Sequence, residues 1–196
     1  MNAIGHRGLP VDDKRELLLD SAERVFCRAG YAGTTMAALA AEAGVTRPTI
    51  YAYYPSKDEV FRALAQRVRA ELLDLQERAD VTSPRDTLRG TLTESLNAYV
   101  RHHGMVTVIA HQALVDPSIR SLQEEIYDRA NRRHTRYIER LVAAGVADPP
   151  VAPAMLAEIV TGMTMRFADL AAADPARQTE LTEALVEAYW RLAGME

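Results

Sequence analysis

Three features of this 196-residue sequence predict an all-α protein. Apolar residues recur at the three- and four-residue spacing of an amphipathic helix along most of the chain. Glycines and Asp-Pro pairs separate these segments, as they do at helix ends. The one stretch with the composition of a strand, TIYAYY at residues 49–54, lies between helix-start signals and a proline. We therefore expect helices throughout and no sheet.

The composition indicates an ordinary globular protein. Hydrophobic residues make up 48% of the chain and charged residues 26%, so disorder is not expected. Cys27 is the single cysteine, which excludes an intramolecular disulfide and fits a reducing compartment. No apolar run approaches the roughly 20 residues that span a bilayer, and residues 1–15 lack the apolar core of a signal peptide. These features favour a cytoplasmic protein with no membrane partner.

The charge of the chain is distributed unevenly. The formal net charge of -4 argues against a nucleic-acid partner, because proteins that bind nucleic acids usually carry an excess of basic residues. Residues 1–57, however, contain seven Lys/Arg and six Asp/Glu, whereas residues 58–196 contain 16 and 21. A polyanion would therefore prefer the first part of the chain.

The first two helices can be placed from their end signals. Apolar residues at helical spacing predict an amphipathic helix over residues 12–29, and Gly30 ends it. Thr34 or Thr35 can then cap a short second helix over residues 36–43.

The third and fourth helices begin with clearer signals. Thr46 is an N-cap candidate for the third helix, Pro48 fits its first turn, and Pro55 ends it. Residues 56–59, Ser-Lys-Asp-Glu, form a capping-box pattern that opens a fourth helix running to about residue 77.

The remainder of the chain is predicted to be helical as well. A polar break near residues 80–84 and three later breaks that contain Asp-Pro separate its segments. The predicted helices cover residues 85–103, 105–115, 118–145, 152–172 and 176–193.

The second and third predicted helices form a helix-turn-helix unit, since Gly44 and Val45 supply a tight turn between them. In such a unit the second helix enters the major groove of double-stranded DNA. Leu39, Val45 and Ile50 would fill the wedge between the two helices. The residues that then face outward are Thr46, Arg47, Thr49, Tyr51 and Tyr53.

These outward residues carry suitable chemistry for a DNA contact. A tyrosine ring offers flat apolar area, and its hydroxyl donates to phosphate. Arg47 can pair with a guanine edge, and Thr49 can meet a thymine methyl group. Lys57, in the first turn of the fourth helix, could hold a phosphate together with backbone N–H groups.

Two sequence strings resemble one protein family. GYAGTTM at residues 30–36, followed by Leu39 and Ala40, and GVTRPTIYAYYPSKDE at residues 44–59 resemble the N-terminal DNA-binding domain of TetR-family transcriptional regulators. The resemblance covers about residues 11–70.

The resemblance implies roles for individual residues. It implies phosphate contacts by Thr35, Tyr51, Tyr53 and Lys57, base contacts by Arg47 and Thr49, and a buried Tyr54. Positions 37 and 38, which are polar or basic in several relatives, are alanines here, so base reading from the second helix should be slight. The family's architecture implies a DNA-binding domain over residues 1–70 and a helical ligand-binding and dimerisation domain over residues 71–196.

The histidines are the first ligand candidates in the second half of the chain. Leu88, Leu92, Leu96, Tyr99 and His103 fall on one helical stripe, so Tyr99 and His103 are expected inside the protein or at a pocket wall. His103 could equally be a core histidine that a neighbour satisfies. His102 is expected in solvent.

His111 lies in an apolar segment and is a second pocket candidate. The spacing of His102, His103 and His111 does not suit a metal, because none is paired at i, i+4 and no carboxylate or thiol completes a set. We predict no metal and no cofactor.

The segment 152–172 has almost no polar face. It is therefore expected to be covered on all sides, partly by a second copy of the chain. Together with the last helix it fits a four-helix interface of a homodimer.

Two residues of that segment are further ligand candidates. Met163 could line an adaptable apolar pocket or be plain core. Arg166 could meet an anionic ligand or pair with Asp169. A row of arginines one segment earlier is expected to form a solvated ion-pair face with interleaved acids: Arg129, Arg132, Arg133, Arg136 and Arg140.

These features predict a homodimeric transcriptional repressor. An apolar or amphipathic small-molecule effector would bind near Tyr99, His103 and His111 and release the protein from a palindromic operator by moving the fourth helix. One alternative is a DNA-binding regulator without an effector. Another is a helical enzyme with a histidine general base, but the sequence has no nucleophile elbow, phosphate loop or metal set, so we do not expect an enzyme.

Overall fold

The computed structural model describes residues 11–74 and 83–195, which form α-helices and one 3₁₀ turn and contain no strand. The all-α prediction is confirmed. The helices are α1 (Val11–Gly33), α2 (Met36–Glu42), α3 (Arg47–Tyr53), α4 (Lys57–Asp74), α5 (Pro84–Arg101), α6 (His103–Ala113), α7 (Pro117–Ala143), α8 (Pro153–Ala173) and α9 (Gln178–Leu192). The 3₁₀ turn, Pro175–Arg177, directly precedes α9.

The helix ends follow the predicted signals closely. Gly30 takes a left-handed conformation, with φ 66°, and bends α1 there, although one more helical turn follows before the helix ends. Ser56 caps α4 as predicted, because its hydroxyl oxygen accepts the Glu59 N–H at 3.2 Å, while the Glu59 carboxylate pairs with Arg62. The predicted end of the fourth helix near residue 77 and most of the break near residues 80–84 lie outside the described residues.

The described residues fall into two compact units. The first contains residues 11–68 and 104–122, and the second contains residues 69–74, 83–103 and 123–195. Helices α4 and α7 therefore each contribute residues to both units. None of the helices in the described ranges combines the length and the apolar character that crossing a membrane requires.

An aromatic cluster lies at the centre of the first unit. Phe26 and Phe61 are fully buried and meet edge to face, with ring centroids 5.2 Å apart. The Tyr31 ring lies 5.0 Å from Phe61. Large buried aromatic rings contribute much of a small core's stability, so this cluster holds α1 against α4.

A charged cluster joins the same two helices at their outer side. The Arg67 guanidinium of α4 contacts three carboxylates of α1, those of Glu16 at 3.3 Å, Asp20 at 2.7 Å and Glu23 at 2.8 Å. The Arg67 side chain is largely buried, and these carboxylates raise its pKa against the opposing effect of burial. Arg67 therefore keeps its charge and fixes the packing of α1 on α4.

The second unit has its own apolar core. Tyr189 of α9, Leu156 of α8 and Ile138 of α7 are fully buried there, together with Leu88 and Leu92 of α5. On the opposite side of α8, Met155 and Ile159 are 54% and 36% exposed in the single chain. The unit therefore buries one face of α8 and leaves an apolar stripe of the other uncovered.

Candidate nucleic-acid interface and internal cavity

The turn between α2 and α3 is built by local hydrogen bonds. The Thr35 hydroxyl oxygen accepts the Ala38 N–H at 3.1 Å and caps α2. Gly44 has φ 64°, a conformation that favours glycine, and lets the Val45 N–H reach the Ala40 carbonyl at 3.0 Å. This geometry fixes the angle at which α3 leaves α2.

Helix α3 begins at its predicted cap. The Thr46 oxygen accepts the Thr49 N–H at 3.4 Å, and the two threonine hydroxyls are 2.8 Å apart. Ile50 is buried at the centre of the helix, and Tyr54 is buried just after it, as predicted. These two buried side chains anchor α3 in the first unit.

The predicted contact residues of α3 differ in their exposure. Thr46, Arg47 and Tyr51 are not buried, and Tyr51 is 50% accessible. Thr49 and Tyr53 are half-buried. Arg47 and Tyr51 lie one turn apart on the helix, which places a guanidinium and a phenol on neighbouring positions. A guanidinium can pair bidentately with guanine, and a phenol can donate to phosphate.

Thr35 and Lys57 flank α3 and already have partners in the protein. Thr35 is exposed, and the hydrogen of its hydroxyl is still available because the cap uses only the oxygen. The Lys57 ammonium donates to the Tyr31 carbonyl at 3.0 Å and lies 4.4 Å above the centre of the Tyr31 ring. Tyr31 in turn donates to the Asp58 carboxylate. Lys57 is therefore positioned by Tyr31, a relation that the sequence did not indicate.

An ion-pair group also lies beside the helix-turn-helix unit. Glu42, at the end of α2, accepts from Arg24 at 2.9 Å and from Arg28 at 3.1 Å, both on α1. The hydrogen bond from Arg24, followed by that from Arg28, lowers the Glu42 pKa. This carboxylate balances part of the positive charge of the first unit.

The histidine predictions were partly wrong. His102, expected in solvent, is buried, and its Nε2 lies 2.9 Å from the Glu71 carboxylate. His103 is about one-third exposed, and its Nε2 lies 3.0 Å from the Asp169 carboxylate, so it takes the alternative of a histidine with a neighbouring partner. The cause is that α5 ends at Arg101, and the change of direction at His102 rotates the predicted stripe.

His111 is exposed on α6 and is not among the residues that line the cavity described below, so its role as a ligand contact stays a prediction. Helix α6 buries its other side, through Met105, Val108, Ile109 and Ala113.

A cavity of about 150 Å³ lies inside the second unit, between α5, α7 and α8. Helix α5 lines it with alternating apolar and hydroxyl side chains. These residues are Thr87, Leu88, Thr91, Leu92, Ser95 and Tyr99. Tyr99 is therefore the one ligand candidate from the sequence that lies at the cavity. Burial raises the pKa of its phenol to about 12, so Tyr99 is a hydrogen-bond donor at neutral pH.

Helix α7 lines the cavity with one stripe of its surface. The stripe consists of Ala130, Arg133, His134, Tyr137 and Arg140. Two arginines that were expected in a solvated row, Arg133 and Arg140, are therefore among the lining residues, and Arg140 is exposed as well. The prediction of solvated ion pairs is confirmed for Arg129 and Arg132, which pair with Glu125 at 3.9 Å and Asp128 at 3.6 Å.

Sequence reasoning missed this stripe because charged residues surround it. A signal was nevertheless present. Ile126, Ala130, Tyr137 and Leu141 recur at helical spacing within the arginine-rich segment and mark the inner face. Arg133 lies on that inner face.

Helix α8 closes the cavity with Val160, Thr161 and Thr164. Met163 packs on the apolar core of the second unit, which was one of its two predicted positions. Arg166 is exposed and lies 3.7 Å from Asp169, which is the simpler of its two alternatives. Neither residue lines this cavity, and their roles as ligand contacts stay predictions.

His134 of the cavity wall has a strongly perturbed environment. Its ring stacks on Tyr189, with centroids 5.1 Å apart and planes 13° from parallel. Burial lowers its pKa from 6.5 to about 4, so the ring is neutral at pH 7.

This environment predicts a pH dependence of stability. Between pH 6.5 and about 4, the unfolded chain binds a proton that the folded His134 does not, so stability is present above pH 6.5 and falls as the pH decreases. We expect the wild type to lose about 2 kcal/mol more unfolding free energy than His134→Phe when the pH falls from about 7 to 5. Urea unfolding at both pH values measures the difference.

His111→Phe is the matched control, because that histidine is exposed on α6. It should keep the wild-type loss of stability on acidification. The prediction fails when the His134 and His111 variants show the same pH dependence.

Among the residues that the structure describes, no three His, Cys, Asp or Glu side chains are grouped to hold a metal ion.

Comparison with known proteins adds independent information. Residues 18–64 match the family model described as bacterial regulatory proteins, tetR family. The chain is 28% identical over 112 residues to the HTH-type transcriptional repressor NicS of Pseudomonas putida, which covers 56% of the chain and 53% of that protein. It is 30% identical over 122 residues to the HTH-type transcriptional activator FasR of Mycolicibacterium smegmatis, covering 60% of the chain and 55% of that protein. The matches thus span little more than half of these relatives.

The fold is shared over a greater length. A TetR-like transcriptional regulator from Rhodococcus sp. RHA1 superposes with a TM-score of 0.78 at 28% identity, covering 94% of this chain and 97% of that chain. A second structure, the TetR-family regulator PfmR from Thermus thermophilus, gives a TM-score of 0.77 at 22% identity and supports the fold alone, covering 91% of this chain and 98% of that chain.

Proposed function

Because the chain belongs to the TetR family of bacterial regulatory proteins, we propose that it binds double-stranded DNA through α3 and represses transcription as a homodimer. The observation that carries this proposal is the surface of α3. Arg47 and Tyr51 are exposed one turn apart on a helix whose start, end and inner face are fixed by local contacts. An exposed guanidinium and phenol on such a helix suit contacts to a base edge and a phosphate.

The uncovered stripe of α8 supports the homodimer. Met155 and Ile159 are exposed apolar side chains, and the exposed Gly162 one turn later would allow a second helix to approach closely. Two helices per subunit, α8 and α9, would form a four-helix interface about a two-fold axis. Two α3 helices related by that axis would read two half-sites, so the operator should be nearly palindromic.

The cavity between α5, α7 and α8 supports regulation by a small molecule. A cavity of about 150 Å³ is similar to engineered apolar cavities that bind benzene, so it can hold a compact effector with an apolar part. Effector binding would release the operator, and linkage then requires the operator to weaken effector binding by the same factor, typically about 5- to 150-fold. The cavity also argues against the alternative of a regulator without an effector, because that alternative favours a filled interior.

We propose that the protein represses transcription and does not activate it. One of the two relatives compared is described as a repressor and the other as an activator. We favour repression because an operator-bound dimer that an effector releases needs no contact with the transcription machinery.

Selection from a random DNA library tests the function directly. The purified full chain should enrich one nearly palindromic site, and a promoter carrying that site should be less active in cells that contain the protein. A library without enrichment after repeated rounds would reject DNA binding. Enrichment of a site with higher promoter activity would reject repression but keep DNA binding.

Arg47→Ala is expected to weaken binding to the selected site by about 1 to 3 kcal/mol and to relax the preference at one guanine of each half-site. The reason is that a lost bidentate contact removes affinity for that base alone. Fluorescence anisotropy with the selected site and with single-base variants measures both effects.

Arg132→Ala is the control, because Arg132 is an exposed arginine of α7 that pairs with Asp128. Its affinity for the selected site should be unchanged. A result in which Arg47→Ala weakens all sequences equally would assign Arg47 to a phosphate instead of a base.

A further inference from the structure

The charge of the cavity wall restricts the ligands that it can hold. Of the fourteen lining residues, all within the described ranges, none carries a carboxylate, whereas Arg133 and Arg140 both carry a guanidinium. His134 stacks on Tyr189 and adds no charge at neutral pH. A cationic ligand would therefore meet two guanidinium groups and no carboxylate among these lining residues.

The hydrogen-bond donors of the wall lead to the same ligand class. Several wall hydroxyls donate to protein acceptors, so their hydrogens are already used within the protein. Thr161 donates to Asn131 at 2.6 Å, Thr164 to the Val160 carbonyl at 2.8 Å, and Tyr137 to the Pro84 carbonyl at 3.3 Å. The guanidinium groups are the donors that match a negatively charged acceptor, and guanidinium is the side chain best suited to the planar fork of a carboxylate.

The two arginines lie on the same stripe of α7. They lie seven residues apart, two turns of α7, with Tyr137 between them on the same stripe. The Arg140 guanidinium lies 5.9 Å from the Tyr137 ring, which holds it toward this side of the helix. Leu88, Leu92 and Val160 provide an apolar wall for the rest of the ligand.

We infer that the ligand of this cavity is a small organic carboxylate with a compact apolar body, whose carboxylate is bound by Arg133 and Arg140. This inference rests on the proposed effector function of the cavity. The volume of about 150 Å³ limits the apolar body to about one aromatic ring or a short alkyl chain.

Isothermal titration of the full chain with matched pairs tests the inference. The pairs are benzoate and benzamide, phenylacetate and phenylacetamide, and hexanoate and hexanamide, in which size is kept and charge is removed. At least one carboxylate should bind about 10- to 100-fold more tightly than its amide, the range expected when a charge-assisted hydrogen bond is gained. Arg133→Gln and Arg140→Gln should each reduce that preference several-fold.

Arg132→Gln is the matched control, because it removes a neighbouring positive charge of α7 that pairs with Asp128 outside the cavity wall. It should keep the wild-type preference. Thermal unfolding of each variant shows whether it is folded, and the exposed Arg140 provides a test that does not depend on the more buried Arg133.

The inference is overturned when every amide binds as tightly as its carboxylate. It is also overturned when no carboxylate of the set binds with a Kd below about 1 mM. Binding of the selected operator separates these outcomes from the proposed function. Operator binding that neutral molecules release would keep the function and reject the carboxylate, whereas carboxylate binding without any selected DNA would reject the function and keep the ligand.

Discussion

Replacing Phe61 with alanine is expected to lower the free energy of unfolding of the first unit by about 3 to 5 kcal/mol. Phe61 is 1% exposed, and its ring centroid lies 5.2 Å from Phe26 and 5.0 Å from Tyr31. Truncation removes the apolar area of the ring and leaves a cavity at the contact between α1 and α4. Urea unfolding followed by circular dichroism measures the loss.

The same substitution should also weaken DNA binding, because only the fraction of the protein that remains folded can bind. Tyr31 packs on Phe61 and holds the Lys57 ammonium, so a shifted Tyr31 would remove Lys57 from its position beside α3. Fluorescence anisotropy of DNA binding, measured at a temperature where the variant is folded, separates the displacement of Lys57 from the effect of unfolding.

Tyr51→Ala is the matched control, because it removes an aromatic ring of the same unit from the exposed face of α3. Its unfolding free energy should stay within about 0.5 kcal/mol of the wild type, as for most surface substitutions. Equal losses of stability in the Phe61 and Tyr51 variants would contradict the assignment of the aromatic cluster as the core of this unit.

The helix-turn-helix unit was predictable because its signals are local. A cap, a turn and a helix start each depend on side chains within four residues of the backbone groups that they satisfy. Thr35 caps α2, Gly44 makes the turn and Thr46 caps α3, as the sequence indicated. The inward position of Tyr54 followed from the family resemblance and is confirmed.

The cavity wall was harder to predict because it depends on distant partners. Periodicity shows that a helix has two faces, but the elements that cover each face are remote in sequence. Arg133 and Arg140 share a segment with solvated arginines, and the packing of α5 and α8 on α7 makes them wall residues. The same limit applies to Met163, whose core position depends on neighbouring helices.

The histidines show a second limit, which is the position of a helix end. Extending one helix through residue 103 placed His103 inside and His102 outside. Helix α5 ends at Arg101, and the irregular residue His102 turns inward, next to Glu71. A shift of two residues at a helix end is the usual uncertainty of such boundaries. Here it was enough to bury His102 in place of His103.

Gly194→Ala is expected to cost the second unit about 2 to 5 kcal/mol of unfolding free energy, through backbone strain of about 1 to 2 kcal/mol and a steric overlap that adds the remainder. Gly194 follows α9 with φ 65°, and a Cβ atom there would lie 2.2 Å from the Asp148 carbonyl oxygen. The backbone cannot move away easily, because the Asp148 N–H donates to the Ala193 carbonyl at 2.9 Å. Circular dichroism during urea unfolding measures the loss.

Gly145→Ala separates the two contributions. Gly145 has φ 69°, and a Cβ atom there would have no neighbour within 4 Å, so its substitution should cost only the strain of about 1 to 2 kcal/mol. The difference between the two variants is then the energy of the contact between the end of α9 and the segment that follows α7. Equal losses would mean that this contact yields at little cost, and the close approach of Gly194 to Asp148 would then not be a fixed part of the fold.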